Sequence, residues 1–168
     1  MFYWRITKYD PKNRNLDGIY LKDEWTRYSD IGKTFEGNIV TQDEYLKFEA
    51  SYIKAVLLLM DCLQVEVLQV AGLEKVMKNP KAVYIGDTVI KNNEFYPKET
   101  IPLILQSILR NKFWCRLISN NLLYIQTGWD YYMYVGSARA CKSTIQKIEL
   151  MGLFVEKSER AFLFDDED

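Results

Sequence analysis

Histidine is missing altogether from this chain of 168 residues. Its absence removes the commonest general base, the Ser-His-Asp and Cys-His nucleophile systems and the commonest transition-metal ligand. Lysine, tyrosine and paired carboxylates remain able to move protons, so catalysis is disfavoured rather than excluded. Cysteine is nearly missing too. Cys62, Cys115 and Cys141 are odd in number, far apart and never in a CxxC pair, unlike the dense, even set of a secreted disulfide scaffold. Buried, inert thiols are the expectation for all three, because free cysteine is among the most buried residue types. Long apolar runs are also lacking: Ala55 to Met60 is the longest, far short of the ~20 residues that cross a bilayer. Met1 to Lys8 shows no basic segment followed by an apolar run and a small-residue cleavage site, so no signal peptide is read there. A cytoplasmic protein without membrane contact is expected.

Charge of one sign is not in excess either. Lys and Arg number 22 against 23 Asp and Glu, for a net charge of -1, which leaves no bulk positive field to gather phosphate backbones. The 48% hydrophobic and 27% charged content is that of an ordinary globular chain. Its length suits one domain over residues 1–168, able to bury a core without metal or disulfide support.

Local patterns then divide the chain. Phe2, Trp4 and Ile6 alternate with Tyr3, Arg5 and Thr7, the period-2 signature of a half-buried strand. Asp10-Pro11 and Asp17-Gly18 open a long irregular segment over residues 10–40. Its Trp25, Tyr28, Ile31 and Phe35 predict that it packs onto the core. Thr41-Gln42-Asp43-Glu44 is a capping box, and Tyr45, Phe48, Tyr52, Val56, Leu59 and Leu63 follow at spacings of three and four. These predict a helix over 42–63.

Val65 to Val70 reads as a strand, and Val83 to Ile90 as a hairpin about Gly86-Asp87. A second helix is predicted from Thr100, with Pro102 in its first turn. Residues 113–118, 122–127 and 131–135 read as an antiparallel meander. A third helix is predicted from Ala138 to Met151, with Ser137 as N-cap and Gly152 as its stop. Leu153 to Val155 is read as a last strand, and Asp165 to Asp168 as a solvated acidic tail. This order predicts an α+β fold, a mostly antiparallel sheet with about three helices packed on one face.

Few motifs carry chemistry. Gly32-Lys33-Thr34 matches the end of a phosphate-binding loop, but Arg27 stands where that loop needs its first glycine. Asp30 to Lys33 reads instead as a turn in which Asp30 bonds local amides. Asp43-Glu44 is explained by capping, whereas Asp23-Glu24 lies in the irregular segment and is open to a site. No cofactor or metal set is expected. The aromatics are the more suggestive feature: Trp129, Tyr131, Tyr132 and Tyr134 cluster around Asp130. On one strand Tyr132 and Tyr134 share a face, with Tyr131, Met133 and Val135 on the other. Tyrosine and tryptophan favour protein–protein hot spots, although tyrosines also favour strands for packing alone. Stacking of single-stranded bases on such a face needs interleaved basic residues, so nucleic acid ranks below protein as a partner.

The stretches Tyr20 to Trp25, Ser29 to Lys33, Glu44 to Leu46, Tyr131 to Tyr134 and Gly152 to Val155 resemble a group of small uncharacterised bacterial proteins. In general character the chain is similar to the immunity proteins of bacterial polymorphic toxin systems. That resemblance implies a small cytoplasmic inhibitor that covers a toxin's active site and needs no catalytic group. On this reading Trp25, Trp129, Tyr132 and Tyr134 anchor the interface, while Asp30 and Asp130 complement a basic toxin domain. Two alternatives stand beside it. One is a small-molecule-binding protein or minor enzyme with a pocket under the 10–40 segment; a pocket lined by Asp23, Glu24 or Lys33 with perturbed titration would favour it. The other is a homodimer or larger assembly paired through edge strands.

Overall fold

The computed structural model describes residues 1–75, 80–128 and 130–158. Strand β1 is Phe2–Thr7, as its alternation predicts. Helix α1 is Gln42–Leu63, and the Thr41 hydroxyl accepts the amide of Glu44. Strand β4 follows at Val67–Glu74, with the hairpin of β5 (Ala82–Ile85) and β6 (Thr88–Lys91) beyond it. A short strand β7, Phe95–Pro97, leads into helix α2 at Ile101–Leu109. The meander is β8 (Trp114–Ser119), β9 (Leu123–Thr127) and β10 (Tyr132–Ser137). Helix α3, Lys142–Leu150, and strand β11, Phe154–Lys157, complete the described chain.

Seven strands form one sheet in the order β11-β1-β10-β9-β8-β4-β7, and every neighbouring pair in it is antiparallel. The three helices pack over one face, and the fold is the α+β arrangement that the element order predicts. Register decides what each face carries. Ile6 stands opposite Met133, Trp4 opposite Val135, and Val135 opposite Ile125, so Ile6, Met133, Val135 and Ile125 line up beneath the helices and are all buried. Arg5, Tyr134 and Gln126 form the adjacent row on the opposite face.

Helix α1 is central to the core. Tyr45, Tyr52, Ala55, Val56, Leu59 and Met60 are buried along it, and each large apolar side chain so withdrawn contributes roughly 1.5–3 kcal/mol. Glu49, on the same helix, ties α1 to Arg110 just beyond α2. The 10–40 segment does pack down, through Trp25 with Tyr20, Ile31 and Phe35, but Tyr28, also expected to pack, stays exposed with its ring edge-on to Tyr45. The segment also has local structure with no periodic signal in the sequence. Pro11–Asn13 and Tyr28–Asp30 are single 3-10 turns. Thr34–Phe35 (β2) and Asn38–Ile39 (β3) form a small hairpin. At its tip Glu36 and Gly37 both have positive φ, 47° and 83°, the combination of a type I′ turn that matches strand twist.

Two expectations are corrected. Ser137 belongs to β10 rather than capping the third helix, which begins four residues later than predicted, at Lys142. Cys141 occupies the N-cap position in the left-handed conformation, φ 42°. The reason lies in the second correction: Cys62 and Cys141 are not inert thiols but a disulfide, joining the last turn of α1 to the entry of α3. They are 79 residues apart in sequence, and only the docking of α3 against α1 brings them together. Cys115 does match the expectation, buried and with its thiol pushed up to about 12 by burial. The acidic tail, Asp165 to Asp168, lies outside the described residues.

Candidate functional site

Of the expected interface anchors, those among the described residues do not come together on one free surface. Trp25 is buried, with its ring 5.1–5.8 Å from those of Tyr45, Phe48 and Tyr131. Asp30 is also buried and acts as the predicted local turn. It accepts the amides of Thr26 and Arg27 and the ammonium of Lys33 at 2.9 Å. Burial works to raise its pKa, but the amides and Lys33 outweigh it and hold the carboxyl below its usual range. The Gly32-Lys33 stretch is part of this turn, with Lys33 N–H bonded to the Asp30 carbonyl.

Tyr132 and Tyr134 do lie on the sheet face opposite Met133 and Val135, as their spacing predicts. Both are half-buried. Arg5 and Arg14 stand over the Tyr132 ring at 5.4 and 5.3 Å. Glu156 of β11 in turn holds both arginines. Tyr134 faces Arg5 across the strand pair. Asp130 is exposed, and its backbone carbonyl accepts the Tyr9 hydroxyl at 2.7 Å. Trp129 lies outside the described residues.

What the fold does assemble is a cleft of about 630 Å³ between the 22–40 stretch and the first turns of α1. Trp25 and Phe48 form one apolar wall, and Phe35 and Ile39 come from the β2–β3 hairpin. Carboxylates are numerous around it: Asp23, Glu24, Glu36 and Glu44 against Lys8 and Lys22. Glu44, expected to close the capping box, instead accepts the Trp25 indole N–H at 3.1 Å, which fixes the tilt of the aromatic wall.

Lys8 is the unexpected member. It follows β1 directly, and its backbone N–H donates to the Tyr52 hydroxyl at 2.8 Å. That bond, with Tyr52 held in turn by the Tyr131 carbonyl at 2.5 Å, directs the side chain inward, where only 1% of it is exposed. The ammonium lies 4.1 Å from the centre of the Tyr9 ring and 4.2 Å from that of Trp25. Glu24 accepts from it at 3.1 Å, and the other Glu24 oxygen takes the Tyr20 hydroxyl at 2.5 Å. Burial lowers the Lys8 pKa, and the attraction of Glu24, Glu44 and Asp30 restores only part of the loss. The Tyr20 phenol is pushed up to about 12 by burial and by Glu24.

Chemically, the arrangement is an amine between two aromatic rings, next to a carboxylate able to exchange a proton with it, in the wall of an aromatic and acidic cleft. Asp23 and Glu24 were legible as an unexplained pair in the segment. Nothing in the sequence marked Lys8, which reads as one more polar residue after a strand. Among the described residues no group of His, Cys, Asp or Glu is placed to hold a metal ion. No helix among them is long and apolar enough to cross a membrane. Comparison with protein families, with curated proteins and with solved structures gave no match.

Proposed function

We propose that this protein binds a small molecule in the cleft between the β2–β3 hairpin and the start of α1. The observation that carries this reading is Lys8, a cation drawn out of water into the wall of a ligand-sized cavity. Burying such a charge costs several kcal/mol unless it is well paired, and perturbed titratable groups in clefts concentrate at functional sites. The balance of the wall selects the ligand's charge. Lys8 is engaged by Glu24, so Asp23, Glu36 and Glu44 face the ligand with Lys22 alone against them. An aromatic compound that is neutral or positively charged fits; an anion does not.

Titrating the full chain with benzylamine, benzyl alcohol and benzoate while following tryptophan fluorescence and the thermal midpoint tests this. Benzylamine and benzyl alcohol should bind and benzoate should not. Ile39→Trp, which fills the mouth, should abolish binding without unfolding the protein. Equal binding of all three, or binding indifferent to Ile39→Trp, would rule the cleft out as the site.

A second reading is favoured by one observation. Leu16, Ile19 and Leu21 are each exposed within six residues of one another on the covering segment, and exposed apolar side chains grouped in this way suit a protein contact. An immunity-type inhibitor would use that patch in place of the buried anchors, with the acidic cleft rim turned to a basic toxin domain. Cytoplasmic residence goes with this reading. A reducing compartment keeps thiols free, so there the mass of the native protein would show Cys62 and Cys141 reduced. Leu16→Ser with Leu21→Ser should remove a co-purifying partner if this reading holds.

A further inference from the structure

We propose that the cleft takes an aldehyde or ketone and that Lys8 condenses with its carbonyl carbon to form an imine. The inference rests on the small-molecule reading and names the ligand class and the reacting atom. Three features of the structure carry it. The Lys8 amine is the one basic nitrogen of the cleft wall placed against a hydrogen-bonded carboxylate, at 3.1 Å from Glu24. Glu24 is in contact both with that nitrogen and, through its second oxygen, with the Tyr20 hydroxyl, so it can hold a proton between steps. The box made by Tyr9 and Trp25 stabilises a cation at this position whatever carries it.

The steps balance without any further reagent. The Lys8 ammonium gives a proton to Glu24, and the neutral nitrogen attacks the carbonyl carbon. A C–N bond forms while the C=O π pair moves to oxygen, which takes up the second proton of the amine. Glu24 then returns its proton to the hydroxyl of the carbinolamine, the C–O bond breaks, and water leaves. The product is a protonated imine, so an ammonium and a carbonyl have become an iminium and one water. Charge in the box is the same before and after. Glu24 and the two rings therefore hold the product as they hold the resting amine, and no uncompensated charge is ever buried.

Lys33, Lys91 and Lys98 serve as contrasts: each is paired with a carboxylate, Asp30, Glu94 or Asp61, but none is in the wall of this cleft. The charged and titratable groups facing the Lys8 amine are Glu24, Glu44 and Asp30, with the Tyr9 phenol beneath. Burial lowers the Lys8 pKa, so its amine deprotonates before the exposed lysines as pH rises, and selectivity for Lys8 is lost at alkaline pH where the other lysines lose their protons too.

The test is reductive trapping on the full chain. Benzaldehyde and, separately, glyoxylate are added at pH 7 with cyanoborohydride, and the site of the added group is mapped by peptide mass. Benzaldehyde should place a single benzyl group on Lys8, and glyoxylate should leave no carboxymethyl group there. Glu24→Gln should keep the fold, by circular dichroism, and slow trapping at Lys8 by about a hundredfold, the usual size of a lost acid–base group. Lys8→Arg should leave no selective site. Labelling spread over the exposed lysines would overturn the proposal, as would a Glu24→Gln rate equal to that of the parent. Binding of benzylamine and benzyl alcohol, measured alongside, separates the two claims. If benzylamine or benzyl alcohol binds but Lys8 is not labelled, the cleft reading stands and the imine falls; if neither binds, both fall.

Discussion

Glu49 and Lys8 are both charged side chains withdrawn from water, and they are held in opposite ways. Glu49 is 4% exposed in its side chain and receives a two-pronged bond from Arg110, at 2.7 and 2.8 Å, with Gln106 at 3.3 Å. Its partners close around it at the α1–α2 junction, the arrangement of a structural tie. Lys8 gives one bond to Glu24 and otherwise faces two aromatic rings and a cleft. Its partner Glu24 is 34% exposed and has Tyr20 besides. Burial of a charge therefore does not by itself mark a site. What distinguishes Lys8 is burial beside open space, with a partner that does not depend on it.

Removing the cation from each pair sharpens that contrast most. Arg110→Ala leaves a buried carboxylate unpaired and should cost about 3–5 kcal/mol in urea unfolding. A loss under about 1 kcal/mol would mean that water or Gln106 satisfies Glu49 and that Arg110 is not the tie described.

The covalent link gives a scale between the extremes. Reducing Cys62–Cys141, or replacing both with serine, should cost about 2–4 kcal/mol, the usual value for closing a long loop. The loss should appear in global unfolding and leave benzylamine binding at the native state intact, since neither cysteine is in the cleft wall. A loss of binding would mean that the α1–α3 link sets the cleft's shape.

Asp30 offers a smaller effect with a defined pH window. Its folded pKa is depressed, so its contribution is fully present above the ordinary aspartate value of about 3.9. That contribution is lost as pH falls from there through the lower folded value. Asp30→Asn should cost about 1 kcal/mol at pH 7 and flatten the acid limb of the stability curve. An unchanged acid limb would remove Asp30 as its source.

Lys8→Met should have the smallest effect, within about 1 kcal/mol of the parent or slightly stabilising. An apolar side chain of similar length fills the aromatic box, and Glu24 remains hydrated and bonded to Tyr20. Should Lys8→Met cost as much as Arg110→Ala, the two charges would be equivalent and Lys8 would be structural.

Much of the fold was legible because its signals are local. The Thr41 cap and the three–four spacing from Tyr45 to Leu63 define α1 to the residue, since capping and helical stripes involve groups no more than four positions apart. Alternation likewise located β1, and closely spaced apolar runs located the meander. Strand β7 and the β2–β3 hairpin were missed because two or three residues are too few to show a period. The third helix begins later than its sequence suggests because Ser137 is a good cap in isolation, while the position of Cys141 is fixed by a partner on another helix. For the site, the sequence offered Asp23 and Glu24 and placed Tyr132 and Tyr134 on one face. It could not show that Arg5 and Arg14 cover the Tyr132 ring.

By itself, then, the sequence determined the element order, the α+β class, the heart of the core along α1 and the lack of histidine chemistry. What the folded chain added is that Cys62 meets Cys141, that Trp25 forms the wall of a cleft, and that Lys8 turns inward beside Glu24. The physical reason is range. Helix caps and periodicities are settled by neighbouring residues, whereas the burial of a charge depends on everything that closes around it. For Lys8 that means Glu24, Trp25 and Tyr52, side chains that only the folded chain brings to one place.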